Sequence, residues 1–468
     1  MRNKLEPGHS RRRRRPPEDG GGTGLGGRAR QVAPDVILIP AGARAQRPVP
    51  EADALEGLDR PATVRLAGER PGPLPRRLLA AARRSSLVAV LPLFVVWRLW
   101  LQGAYWLASA SPSRLPRLGL PRPTYAQLMT DVPDWLTRWV AWDGQHYLRT
   151  AVRGYGPPGD GREFGSAIFP LFPMAVRALD RLTPLQAGLA GLVVSHVCAL
   201  VFLVFLYRLG EQVAGPGRGR RAVLLFLVLP TSFFLASYYA EAMLLALAAV
   251  AIDAGLRRRW ALAALAAALA SATKPHGILL VPTLLVLWLH LDRRWRQGLW
   301  LLLAPTGLLA WMAFLHHRYG DAMVWLRAQS GWNRELGGNF AARVVASTTD
   351  TLAVHPWGWA QLVVLLNLAA LAGALVLAVL LAVDRGPAAR SSKASLALAV
   401  LTAGAVLMPL ATGSLLSLSR LALLGFPAVL WLAGHLRERG PAELAWLLGG
   451  VALGTVFIGA VVGGAFVA

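Results

Sequence analysis

In a chain dominated by leucine, alanine and valine, one polar stretch has the residue types for chemistry. "WVAWDGQHYLRTAVRGYG", beginning at Trp139, sets Asp143 and His146 three residues apart among Trp139, Trp142, Tyr147 and Tyr155. On a helix that spacing puts carboxylate and imidazole on one face. Aromatic faces can stack on a sugar ring and a carboxylate can take a hydroxyl proton, so a sugar site is one reading. The other is an interfacial amphipathic helix, with Trp and Tyr at headgroup level and Asp143 as a cap. Asp143 and His146 have no third ligand at a suitable spacing, so neither a metal nor any other cofactor is indicated.

Four further stretches interrupt the apolar sequence. "SYYAEAML" places Tyr238, Tyr239 and Glu241 at the start of an apolar run, where an acid also complements the helix dipole. "SATKPHG" carries Lys274 and His276, "RAQSGWNREL" carries Gln329, Trp332, Asn333 and Arg334, and "SLLSLSRLALLGFP" carries Ser417, Ser419 and Arg420. Arg98, in "VVWRLWL", falls near the middle of the first apolar run. An ionised arginine there is costly unless paired, which predicts an inward-facing partner, either an acid or a lipid phosphate.

The elements that must position these residues follow from composition. Hydrophobic residues make up 55% of the 468 and charged residues only 16%, against roughly 25% charged in a soluble domain. Apolar runs recur at about the length that crosses a bilayer as a helix. Eleven spans are predicted, at 86–109, 185–207, 222–237, 240–256, 260–273, 277–291, 298–317, 357–383, 394–411, 415–434 and 443–467; those at 222–237, 260–273 and 277–291 are short enough to be tilted, broken or only partly membrane-buried. The fold class is therefore an all-α polytopic membrane protein. The stretch 164–178 has two prolines and suits an interfacial or re-entrant segment better than a span.

The formal charge of +24 sits in the Arg-rich head and in short clusters between the apolar runs. Such clusters fix topology and touch anionic lipid, so membrane lipids are the expected partners and nucleic acid is not. Residues 1–84 read as a disordered, basic, cytoplasmic N-terminal region without a cleavable signal, and 85–468 as the membrane domain. Cys198 is the sole cysteine, which excludes an intrachain disulfide. Counting spans from a cytoplasmic head puts the clusters at Arg208–Arg221, Arg257–Arg259 and Arg293–Arg296 inside. Loops 110–184 and 318–356 then face outward, and all the polar stretches except Arg98 gather at one extracytoplasmic face.

In order and content, "WDGQHYLRTAVRGYG", "SAIFPLFPMAVR", "SYYAEAML", "KPHG" and "SLSRLALLGFP" resemble the PIG-V-like mannosyltransferases over about residues 86–435. "TKPHG" departs from the eukaryotic pattern, which has an arginine-serine-asparagine type of sequence there. The resemblance implies a GT-C-like bundle with a large first outer loop bearing the catalytic acid, and a polyprenyl-phosphate-mannose donor. The expected function is mannosyl transfer, by inversion, to an extracytoplasmic glycolipid, polysaccharide or protein at the plasma membrane. On that reading Asp143 is the general base, with Glu241 the next candidate, and His146 orients the acid or acceptor. Lys274, His276 and Arg420 face the leaving phosphate, with Arg153 and Arg98 behind them. Trp142, Tyr147 and Trp332 stack on sugar or acceptor. A lipid-linked sugar flippase or a non-catalytic membrane scaffold are the alternatives; the first predicts polar residues through the midplane, the second an expendable Asp143.

Overall fold

The computed structural model describes residues 85–110, 126–156, 163–332, 334–337, 339–384 and 389–465. The expectations for residues 1–84 and for Asn333 lie outside these residues. Every described segment is helix or irregular, with no strand among the described residues.

Among the described residues, five helices are long and apolar enough to cross a membrane: Ser86–Ala110 (α1), Ala187–Ala214 (α4), Trp295–Tyr319 (α9), Trp359–Val383 (α11) and Pro441–Val462 (α14). A sixth is reached if Leu418–Gly425 and Pro427–His435 (α13), bent by 65°, count as one span. This falls short of the eleven expected from hydropathy. The remaining apolar runs do form helices, but short ones: Gly219–Leu227 (α5), Glu241–Leu256 (α6), Trp260–Thr273 (α7) and Leu280–Leu291 (α8); in Ala389–Leu410 (α12) the apolar part, Ala394–Leu410, is also short. The run 222–237 shows how an apolar run and a long helix can differ. Its helix stops at Leu227, and a separate tight turn follows at Ser232–Leu235, after Pro230. Proline can neither donate nor leave its neighbour helical, so the chain breaks although it stays apolar.

Two shorter helices belong to the first loop, Asp143–Arg153 (α2) and Leu171–Leu182 (α3), and Phe340–Ala353 (α10) belongs to the second. At 12 residues α3 cannot span, in line with the interfacial reading of 164–178.

Helices α4, α6 and α7 pack at the centre. The buried residues of α6 are rich in alanine (Ala242, Ala246, Ala248, Ala249, Ala251 and Ala254), which lets neighbouring backbones approach closely. At Gly307 a methyl group would lie 1.9 Å from the Ala268 carbonyl oxygen, so α9 meets α7 backbone to backbone. Phe202 stacks edge-on against Phe226 and Phe426, tying α4 to α5 and to the residue that precedes α13.

The helices run between two polar ends. At one end Asp253 of α6 accepts from Arg208 at 2.9 Å, Gln212 at 2.8 Å and Arg257 at 3.0 Å, and Arg221 pairs with Glu443 at 2.7 Å. At the other end lie Glu241, the first residue of α6, and Lys274, which follows the last residue of α7.

Candidate active site

Asp143 is presented by a strained turn. Trp142, just before it, has φ 59° and ψ −126°, a conformation that costs a non-glycine residue on the order of 1–3 kcal/mol and persists only where surroundings enforce it. The enforcement is visible. Tyr238 donates its backbone N–H to the Trp139 carbonyl at 2.8 Å, and the Tyr239 hydroxyl donates to the Ala141 carbonyl at 3.1 Å. Tyr238 is fixed in turn by its hydroxyl, which donates to the Ala187 carbonyl at 3.0 Å, and its ring fills the space that a side chain at Gly191 would take. The chain then enters α2 with Asp143 in the first turn, where an anion is favoured.

Glu241 starts α6 two residues after Tyr239. Lys274 owes its direction to Pro275: the residue before a proline is driven out of the helical region, and Lys274 is extended at φ −156° and ψ 153°. Its ammonium reaches Glu241 at 2.7 Å. Arg420 comes from the short turn Leu418–Leu421, entered through Ser417 in the left-handed region. Its Nη1 donates to Asp143 Oδ2 at 2.9 Å, and its Nε lies 3.1 Å from Glu241 Oε1. The guanidinium lies 5.3 Å from the ring centres of both Phe234 and Tyr239, a cation–π arrangement. The indole of Trp332, from the second loop, donates to Asp143 Oδ1 at 3.3 Å and meets His146 edge-on.

These residues surround a cleft of about 530 Å³, counting its open mouth. Asp143, Tyr147, Lys274, His276, Trp332 and Arg420 line it, together with Gln329 and Arg334. Both ring nitrogens of His276 are buried and have no hydrogen-bond partner among the described residues. The electrostatics favour ionised Asp143. Burial alone would raise its carboxyl pKa, but the adjacent Arg420, with smaller contributions from His146 and Lys274, holds it below the ordinary carboxylate range. Burial outweighs Asp143 at His146 and lowers that imidazole, favouring its neutral form at pH 7. Burial likewise lowers Lys274, against the pull of Glu241, and pushes the Tyr147 phenol well above its usual value. Three cations (Lys274, Arg334 and Arg420) face two carboxylates (Asp143 and Glu241), a surplus of one positive charge.

Arg153, Arg98 and the Trp142 side chain stand apart from the cleft. Arg153 is exposed at the end of α2. Arg98 donates to His196 Nε2 at 2.8 Å and to Gln102 Oε1 at 3.3 Å, and lies over the Trp139 ring. It thus touches the segment leading to Asp143, and its described side-chain partners, His196 and Gln102, do not include the acid that was one of the two partners expected. Trp142 acts through its backbone, and its side chain is not part of the cleft wall. Arg334 was visible in sequence only as one polar residue of a loop, with nothing to separate it from its neighbours. Among the described residues no three His, Cys, Asp or Glu side chains gather as a metal-ligand set.

Fold and cleft together define the class: an all-helical, membrane-type bundle with an ionised cleft at one polar end. Within that class, residues 95–293 match the family described as Mannosyltransferase (PIG-V), the family that the motifs resemble. A stretch of 184 residues is 32% identical to GPI alpha-1,6-mannosyltransferase 2 of Rattus norvegicus, covering 36% of this chain and 35% of that protein. The chain thus matches about a third of the length of this curated relative. No solved structure matches it. The family match takes in Asp143, Glu241, Lys274 and His276; Trp332, Arg334 and Arg420 lie beyond it.

Proposed function

We propose that this protein transfers mannose from a polyprenyl-phosphate-mannose donor to an acceptor hydroxyl at the extracytoplasmic face of the plasma membrane, with inversion. The acceptor oxygen forms its bond to the anomeric carbon as the carbon–oxygen bond to the donor phosphate breaks. The electron pair of that bond leaves with the phosphate and the acceptor proton passes to Asp143. A transition state with oxocarbenium character needs a base on the acceptor side and cations on the leaving side, because charge builds there only as the bond breaks.

The observation that carries this reading is the convergence of Asp143 with a cationic surplus in one cleft at one polar end of the bundle. A lipid donor is supported by an apolar cavity of about 980 Å³ by the same measure, which shares Ser419 and Ala422 with the segment around Arg420 and runs past Leu366, Ala370, Leu423 and Val429. The outward orientation is supported by the Arg208, Arg257 and Arg221 pairs at the other end, as the positive-inside rule requires. Purified protein incubated with radiolabelled polyprenyl-phosphate-mannose and membrane acceptors tests the proposal. Labelled product that forms with the wild type and is lost with Asp143→Asn supports it; transfer from a water-soluble nucleotide-mannose alone sinks it.

A further inference from the structure

The cations of the cleft are not equivalent, and the difference decides which of them is available to an incoming anion. Arg420 is committed. One edge of its guanidinium is held by Asp143 and another faces Glu241, and its plane lies beside Phe234 and Tyr239. Lys274 is bonded to Glu241 and nearly buried. Arg334 differs on every count. It lines the same cleft, is partly exposed, and has no carboxylate partner among the described residues. Its Nη2 donates only to the Leu416 carbonyl, and its Nε is buried with no acceptor among the described residues. The acid next to it in the chain, Glu335, is already taken by Arg343 at 3.0 Å.

We propose that Arg334 is the residue that binds the phosphate of the lipid-linked donor, while Arg420 serves to position and ionise Asp143. This rests on the transferase reading above and sharpens it. An arginine whose Nη2 meets only a neutral carbonyl and whose Nε–H is unsatisfied keeps the planar donor fork that suits phosphate oxygens. An unsatisfied buried donor costs free energy until an acceptor arrives, so the site favours an anion that fills it. The cationic surplus of the cleft is therefore carried by Arg334. As the leaving phosphate gains charge, Arg334 is the cation with a free edge to meet it. Burial and the nearby Arg420 bring its guanidinium pKa down to about 10, still charged at neutral pH.

The test uses the full chain in lipid nanodiscs, with farnesyl phosphate and farnesol as probes that differ only in the phosphate. Wild type should bind farnesyl phosphate at least about tenfold more tightly than farnesol, the least expected of a charge-assisted phosphate contact. Arg334→Gln should remove most of that preference and leave farnesol binding unchanged, and Arg334→Lys should restore part of it. Arg327→Gln, in the same outer loop but paired with Asp321 away from the cleft, should keep the preference. An Arg334→Gln protein that retains the full preference, or an Arg327→Gln protein that loses it equally, overturns the assignment. If Arg334→Gln does not fold, Arg334→Lys is read instead: a preference several-fold below wild type supports the fork, and parity overturns it. Wild type that shows no preference for the phosphate removes the donor class itself and this assignment with it, an outcome distinct from an indifferent Arg334.

Discussion

Replacing Arg420 with glutamine isolates the electrostatics of the cleft. The change removes a guanidinium that contacts Asp143 at 2.9 Å and Glu241 at 3.1 Å, with all three side chains largely out of solvent. Breaking a buried ion pair from one side costs about 3–5 kcal/mol, because the charge left behind stays desolvated. Lys274 still neutralises Glu241, so the lower end of that range is expected as a loss of folding stability. The pH behaviour follows from the same contacts. A carboxylate base works only when ionised, so transfer is present above its pKa and lost as pH falls through it. In the wild type burial acts to raise the Asp143 carboxyl, and Arg420 is the main group holding it below the ordinary range. Its removal moves the acidic limb of turnover to higher pH. The assay is thermal unfolding in detergent beside a pH profile of mannosyl transfer for wild type, Arg420→Gln, Asp143→Asn and the double variant. The two single changes should be strongly non-additive in stability, since each removes the same contact. Wild-type stability together with an unmoved acidic limb in Arg420→Gln would refute the account of Asp143.

Asp143→Asn keeps shape and most hydrogen bonding, so folding should survive while transfer falls at least about a hundredfold, the low end for positioned acid–base catalysis; comparable turnover would move the base elsewhere, Glu241 being next. Gly191→Ala drives a methyl group to within 1.9 Å of the Tyr238 ring, and such overpacking costs typically about 1–3 kcal/mol. Unfolding midpoints should drop and transfer should weaken, because Tyr238 holds the segment before Asp143; a neutral result in both measurements contradicts that coupling. Orientation is checked by cysteines placed at the exposed positions Arg153 and Arg258 in a background lacking Cys198. An impermeant reagent should label Arg153→Cys in intact cells and spare Arg258→Cys, and the reverse pattern would put the cleft on the cytoplasmic side.

The sequence alone determined the secondary structure class and the inventory of the site. Apolar runs broken by arginine clusters can form little but membrane helices, and the few polar stretches between them had to hold the chemistry. Run length marked 222–237 as short, but hydropathy registers the polarity of that run and not where its helix ends, at Leu227 before Pro230. Nor could it pair the charges. Asp143 and Arg420 are 277 residues apart, and an arginine in a loop reads the same whether a carboxylate will meet it or not. Only the packing of α4, α6 and α7, with Tyr238 and Tyr239 holding the Trp139–Ala141 segment, brought Glu241, Lys274 and Arg420 to Asp143 and gave Arg98 to His196. Tertiary contacts set which charges are neutralised, since desolvation and pairing act over a few ångströms and sequence separation carries no record of them.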